Sequence, residues 1–188
     1  MKKVFILLAV SLSLGVTVNA FANDADFKAG KPVIKDVTKA SGTEMVLEIL
    51  IKAKPQAVWD VLVDYEKFPE FMPIEQVKVK SRSGNTEIVF VKPEAPPMVD
   101  ISYTLKRTYH KDKWRLEFEK VEGKIKDING YWQLESYKSA YTKATYVSNV
   151  DTGGAIPGFV KDYFAKGSLK KVGEGVKKRV ESHGKWKR

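Results

Sequence analysis

The spacing of apolar positions changes several times along the chain, and each change predicts a different element. Met45 to Ala53 is rich in branched residues and suits a strand. Pro55 then opens an amphipathic helix, in which Val58, Trp59, Leu62, Tyr65 and Phe68 recur at three- and four-residue steps around Asp60, Asp64 and Glu66. Pro69 and Pro73 stop it, because a proline clashes with the preceding helical turn. From Ile74 the period falls to two: Val77 and Val79 alternate with Lys78 and Lys80, Ser81 to Asn85 makes a turn, and Ile88 to Val91 is a nearly continuous apolar strand. Prolines 93, 96 and 97 mark residues 92–98 as a loop outside the sheet and a candidate lid.

The alternation is clearest further on. Ile101, Tyr103, Leu105, Arg107 and Tyr109 fall on one face, His110 to Lys113 turn the chain, and Trp114, Leu116 and Phe118 alternate with Arg115, Glu117 and Glu119. Gly130 to Glu135 forms another strand with Trp132 and Leu134 on one face, and Tyr141 to Val150 is the last, with alternation too weak to assign its facing. From Ile156 to about Ser182, Val160, Tyr163, Phe164, Leu169, Val172, Val176 and Val180 follow helical spacing with lysines opposite. A strand, a short helix, a run of antiparallel strands and one long helix predict an α+β fold with the helix on one face of the sheet. One domain is expected over residues 44–183, after an extended or mobile lead-in at 23–43 and before a basic tail at 184–188.

The first residues change where this domain is expected to work. Met1-Lys2-Lys3, an apolar run from Val4 to Val16 and a polar Thr17-Val18-Asn19 have the layout of a secretory signal peptide, and Ala20-Phe21-Ala22 supplies the small-x-small cleavage pattern. The apolar run is shorter than the roughly 20 residues that span a bilayer. Cleavage after Ala22 and a periplasmic location are the expectation, with a mature chain that begins at Asn23. The absence of cysteine excludes disulfides, thiolate metal sites and cysteine nucleophiles.

The net charge of +10 falls to +8 without Lys2 and Lys3, and the excess concentrates in Lys170-Lys171, Lys177-Lys178-Arg179 and Lys185-Trp186-Lys187-Arg188. Outside the inner membrane no nucleic acid partner is expected. The basic stretch reads either as a solvated helix face with a frayed tail or as a docking patch for anionic membrane. A monomer is expected.

Candidate chemistry is sparse. The two histidines are His110, in a turn, and His183, near the end, and they cannot make a histidine-rich metal site without cysteine. There is no Gly-x-Ser-x-Gly elbow, phosphate loop or dinucleotide fingerprint, and no cofactor or metal is expected. Glu117 and Glu119 share a face, but it is the water side of their strand. Arg107 falls on an apolar face, where a charge must be paired or hydrogen-bonded; it either orients a polar ligand head or snorkels to water from the strand end. Gly167, Gly173 and Gly175 in the final helix each cost roughly 1 kcal/mol relative to alanine, which calls for room for a ligand, a bend, or close packing.

Four segments together resemble the START-like helix-grip superfamily, in particular its polyketide cyclase/dehydrase and coenzyme Q-binding branch. They are Pro55 to Pro73, Gly130 to Glu135, Asp151 to Phe159 and Lys177 to Glu181, in the expected order. The resemblance implies a bent antiparallel sheet gripping the C-terminal helix, with a hydrophobic cavity between them. It places Tyr103, Leu105, Arg107, Tyr109, Trp114, Leu116, Phe118, Trp132, Leu134, Phe164, Val172 and Val176 on the cavity wall. Members bind lipids, quinones, sterols or polyketides and some are enzymes, so fold does not fix function. The expectation is an exported, noncatalytic carrier of a hydrophobic small molecule or lipid, quinone-like or acyl. The alternatives are a polyketide cyclase/dehydratase in which a tyrosine or arginine polarises a carbonyl, and a basic protein that docks on the envelope.

Overall fold

The computed structural model describes residues 20–39, 42–96, 99, 101–151 and 167–188. Residues 1–19 of the expected leader, Thr152 to Phe159 of the third resembling segment, the expected helical residues 156–166 with Phe164, Pro97 and Met98 of the proline loop, and Asp100 lie outside them. Eight strands form one antiparallel sheet: β1 (Val33–Lys39), β2 (Gly42–Ile51), β3 (Ile74–Ser83), β4 (Thr86–Pro93), β5 (Tyr103–His110), β6 (Arg115–Gly123), β7 (Asp127–Tyr137) and β8 (Tyr141–Asp151). Their order across the sheet is β1-β2-β8-β7-β6-β5-β4-β3. Consecutive hairpins build β3 through β8, while β2 returns to pair with β8, Ile51 opposite Thr142 and Glu44 opposite Asn149. The sheet is curved and open, and register irregularities between β3 and β4 and between β5 and β6 are the bulges that bend strands locally.

Among the described residues three α-helices accompany it: α1 (Ala20–Lys28), α2 (Pro55–Val63) and α3 (Leu169–Glu181). The α2 helix begins on Pro55 and buries Val58, Trp59 and Leu62. It is shorter than its apolar spacing predicts. The chain leaves helical geometry at Asp64 (φ −81°, ψ 64°) and continues as a 3-10 helix, Tyr65–Glu70, that contains Pro69. The residue before a proline is disfavoured in the α region, and a 3-10 helix eclipses positions i and i+3. Tyr65 and Phe68 therefore stack, with ring centres 4.2 Å apart.

Other differences from the sequence reading have physical causes of their own. Pro93 is the last residue of β4, opposite Ile74 on the edge strand β3 and beyond the last β4–β5 pair, Val91 opposite Tyr103, so its missing N–H interrupts no ladder between central strands. The lead-in contains an edge strand, β1, and Phe27 packs edge-on against Tyr137 at 5.7 Å. Residues 184–188 are not frayed: Trp186 packs against the core, and the Arg188 backbone N–H donates to the Glu70 carbonyl at 3.0 Å.

The α3 helix lies close against β2 and the end of the 3-10 helix, and its glycines explain how. A Cβ at Gly175 would stand 2.1 Å from the Phe71 carbonyl oxygen, and one at Gly173 would stand 3.0 Å from Leu47 Cδ1. Close packing, not ligand space, accounts for these two. Gly167 has open space around it. Gly175→Ala is expected to lower unfolding free energy by ~1–3 kcal/mol, the cost of overpacking against a group that cannot swing away. Urea unfolding checks it; a wild-type midpoint would mean that α3 can move off the Phe71 backbone.

Candidate functional site

Antiparallel register decides which side chains share the concave face, because directly opposed residues point the same way. One row runs Glu87, Arg107, Phe118, Gly130, Ser148, Met45 across six strands. The next runs Tyr109, Leu116, Trp132, Tyr146, Leu47, with Leu134, Ala144 and Ile49 beyond it. Leu105 sits opposite Val89, and Tyr103 opposite Val91. Every β5, β6 and β7 strand residue expected on the cavity wall thus lies on one face. Gly130 is required there: a Cβ would stand 2.0 Å from the Val147 carbonyl oxygen and 2.6 Å from Phe118 Cζ. The Phe118 ring covers the gap and stacks on Tyr146, with centres 5.7 Å apart and planes 19° apart.

These residues divide into a packed set and an accessible set. Leu105, Leu116, Trp132, Leu134 and Val176 are buried as plain core, filled by Val58, Trp59 and Leu62 of α2. Trp114 does not belong to the β6 strand. It sits before it in the left-handed region (φ 51°) and packs edge-on against Trp59 at 5.9 Å, closing the end of the sheet where α2 starts. Tyr103, Tyr109, Tyr146 and Val172 keep accessible surface. Burial nevertheless pushes the Tyr146 phenol up to about 12, with Ser148 lowering it and Tyr65 raising it. It pushes Tyr103 well above the ordinary tyrosine value, helped by Tyr65 and Tyr146. The phenols of Tyr65, Tyr103 and Tyr146 therefore stand close enough to feel one another's charge, and the Tyr103 hydroxyl has no hydrogen-bond partner among the described residues.

Arg107 is the structural centre of this face. It is 2% exposed and does not snorkel. Its Nη2 donates to the Leu62 carbonyl at the end of α2 at 2.7 Å, its Nη1 faces Glu87 Oε2 at 3.4 Å, and its guanidinium lies 3.8 Å from the Tyr65 ring centre. Burial holds it below the usual arginine value, while Tyr109, Tyr65 and Glu87 act the other way. Glu87 is an interior carboxylate that the sequence reading missed. It also accepts a short bond from the Tyr109 hydroxyl and one from Arg82 Nε at 2.7 Å. Burial and the neighbouring Glu87 charge raise the Tyr109 phenol, against the lowering effect of Arg107. With three donors on its two oxygens, Glu87 neutralises Arg107 instead of presenting a free base.

The other candidates lie away from this face. His110 Nε2 stands 3.5 Å from Glu117 in the solvent-facing β5–β6 region, and His183 follows α3 in the left-handed region (φ 54°). Among the described residues no three metal-ligating side chains gather. A surface groove of ≈ 390 Å³ runs between α2, the 3-10 helix and the end of α3, past Asp60, Asp64, Lys67, Arg179 and His183. A second, of ≈ 400 Å³, crosses the convex side over Gly130. The second is lined mainly by polar side chains and the first by a mixture of charged and apolar ones, unlike the concave face.

Residues 51–177 match the family model described as polyketide cyclase/dehydrase and lipid transport. Among solved structures, a STAR-related lipid transfer protein from Xanthomonas axonopodis superposes with a TM-score of 0.67 at 19% identity, over 79% of this chain and 91% of that one. A START superfamily protein from Mycobacterium smegmatis gives 0.63 at 13% identity, over 74% and 97%. The Zhui aromatase/cyclase from Streptomyces sp. R1128 gives 0.55 at 17%, over 74% and 87%. At these identities the likeness is one of fold. No curated protein matches the chain.

Glu87→Ala is expected to cost ~3–5 kcal/mol, because it strands a buried guanidinium. Pairing it with Arg107→Met is expected to recover much of that loss in denaturant unfolding, and strictly additive losses would contradict the coupling. A phenol raised from 10 to about 12 leaves stability intact below pH 10 and removes it as pH climbs from 10 towards 12, since the unfolded chain ionises first. Tyr146→Phe should blunt that alkaline loss, measured as thermal midpoint against pH.

Proposed function

The chain belongs to the polyketide cyclase/dehydrase and lipid transport family, and on that premise we propose that it is an exported, noncatalytic carrier. It holds a hydrophobic small molecule or lipid, quinone-like or acyl, between the concave sheet face and the helical side of the fold. The observation that carries this reading is a half-buried aromatic wall: Tyr103 and Tyr146 pack against the core but keep some accessible surface, and burial raises their phenols. Phenols that stay protonated donate hydrogen bonds to a quinone or ester oxygen without bringing a charge. Apolar burial at about 25 cal/mol per Å² supplies the affinity, and the few polar groups orient the head, as in most small-molecule sites. Arg107 supports the site from behind: its charge is spent on Glu87 and Leu62.

Export rests on the leader at residues 1–22, whose removal leaves Asn23 to Lys28 of α1 on the mature chain. A polyketide cyclase/dehydratase is the second reading. It is favoured by the Tyr103 hydroxyl, which has no hydrogen-bond partner among the described residues and is suited to polarising a carbonyl. It is weakened by Glu87, whose oxygens are occupied by Arg82, Arg107 and Tyr109, so that this carboxylate is not free to act as a general base.

Protein purified from its own envelope is expected to carry an apolar lipid or quinone, detected by native mass spectrometry and organic extraction. Empty protein that also fails to bind a lipophilic dye would sink the carrier. Turnover of a supplied polyketide analogue, lost in Tyr103→Phe, would decide for the enzyme. Mass spectrometry of the same sample should find Asn23 as the first residue, and a retained Met1 would refute export by this leader.

A further inference from the structure

The strongest unassigned feature is the basic segment 184–188, which lies beyond the residues matched to the family. It folds back on two acidic groups that belong to different elements of the carrier. Glu70, at the end of the 3-10 helix, meets Arg179 Nη2 at 2.9 Å and Lys187 Nζ at 3.3 Å. Glu94, next to the end of β4 in the proline loop, is paired with Arg188, whose backbone N–H also holds the Glu70 carbonyl. Arg179 Nη1 donates to the Trp186 carbonyl at 2.9 Å, and the Trp186 N–H donates to Ser182 Oγ at 2.7 Å. The segment thus joins the end of α3, the 3-10 helix that stacks Tyr65 on Arg107, and the proline loop. The Glu94 N–H completes the tie by donating to the Pro73 carbonyl at 3.1 Å.

The joining charges are poorly sheltered. Lys187 is 65% exposed, and Arg188 and Glu94 are 38% and 34% exposed, so these pairs are individually weak and salt-sensitive. Lys178 and Lys185, on the same side, have no acidic partner among the described residues, and Lys178 Nζ lies 5.1 Å from the Trp186 ring centre. A tryptophan among four cations, packed but not sealed, suits the boundary between lipid headgroups and chains, where the indole is favoured and each lysine or arginine adds attraction to anionic lipid.

We propose that residues 184–188 are a latch that ties the 3-10 helix and the proline loop to α3, and that an anionic lipid surface releases it by taking Lys187, Arg188 and Trp186 from Glu70 and Glu94. Docking and loosening of the proline side of the fold are then one event. As a means of delivering cargo this rests on the carrier reading; as a structural switch it does not.

Amide exchange at Phe71, Met72 and Glu94 reads the latch directly, in the full chain with and without vesicles. Phosphatidylglycerol-containing vesicles are expected to bind the protein and speed exchange there about two- to fivefold, the range expected for loss of a part-exposed ion pair. Pure phosphatidylcholine vesicles should do neither. Glu94→Gln should exchange faster without vesicles while still binding them, and the Lys187→Ala/Arg188→Ala pair should exchange faster but bind weakly. Vesicle binding with unchanged exchange would reduce the segment to a docking patch, and variants that exchange like wild type would remove the latch. Polyphosphate acting as well as vesicles would replace the lipid surface by any polyanion; each of these results overturns the proposal. Lipophilic dye binding, followed in parallel, tests the carrier separately, since a dye-negative protein can still show the exchange response.

Discussion

A buried cation with three kinds of partner organises this fold. Taking a guanidinium out of water is costly, and the cost is met only when its donors are used and its charge is balanced. Here the donors reach the carbonyl at the end of α2 and a carboxylate on the neighbouring strand, and an aromatic ring covers one face. Each partner comes from a different part of the chain. Arg107 therefore fixes where α2 ends, why the 3-10 helix turns Tyr65 inward, and which way β4 faces. An aliphatic residue at 107 would bury as much surface but specify none of these.

The same arrangement divides the concave face into two halves. At the α2 end, aromatic and aliphatic side chains are buried as core, and Trp114 packs edge-on against Trp59. Towards Tyr103 and Tyr146 the wall stays accessible, and its polar groups are phenols, not charges. Such a surface discriminates by shape and by single hydrogen bonds. That suits a cargo with an apolar body and one oxygen-bearing end.

Much of this was legible in the sequence because strand alternation is strict in β5 and β6, where Leu105, Arg107, Leu116 and Phe118 fall on one face as their spacing requires. Glu87 was not legible. It precedes an apolar run that reads as a strand beginning at Ile88, and only the β4–β5 register sets it opposite Arg107. Tyr146 was hidden by the mixed Thr, Lys, Ala and Ser pattern of β8, whose facing is set by its neighbours Trp132 and Leu47. The docking of Lys187 and Arg188 depends on partners far away in sequence, which no local pattern encodes. Spacing alone could not choose between room and contact for Gly175; the Phe71 carbonyl does.

The pairing of β2 with β8 also governs how the chain reaches this state. Hairpins from β3 to β8 can assemble one after another as neighbours in sequence, but β2 has to wait for the last strand before its inner edge is covered. Contacts of such long sequence separation pay their loop-closure entropy before they return any stability, and they slow folding. Until β8 arrives, Leu47, Ile49 and Ile51 remain on a strand with an open edge, the kind of template that recruits other chains. The β2–β8 pairing thus joins the segments of the sheet most distant in sequence, and a chain without it presents an open apolar strand edge.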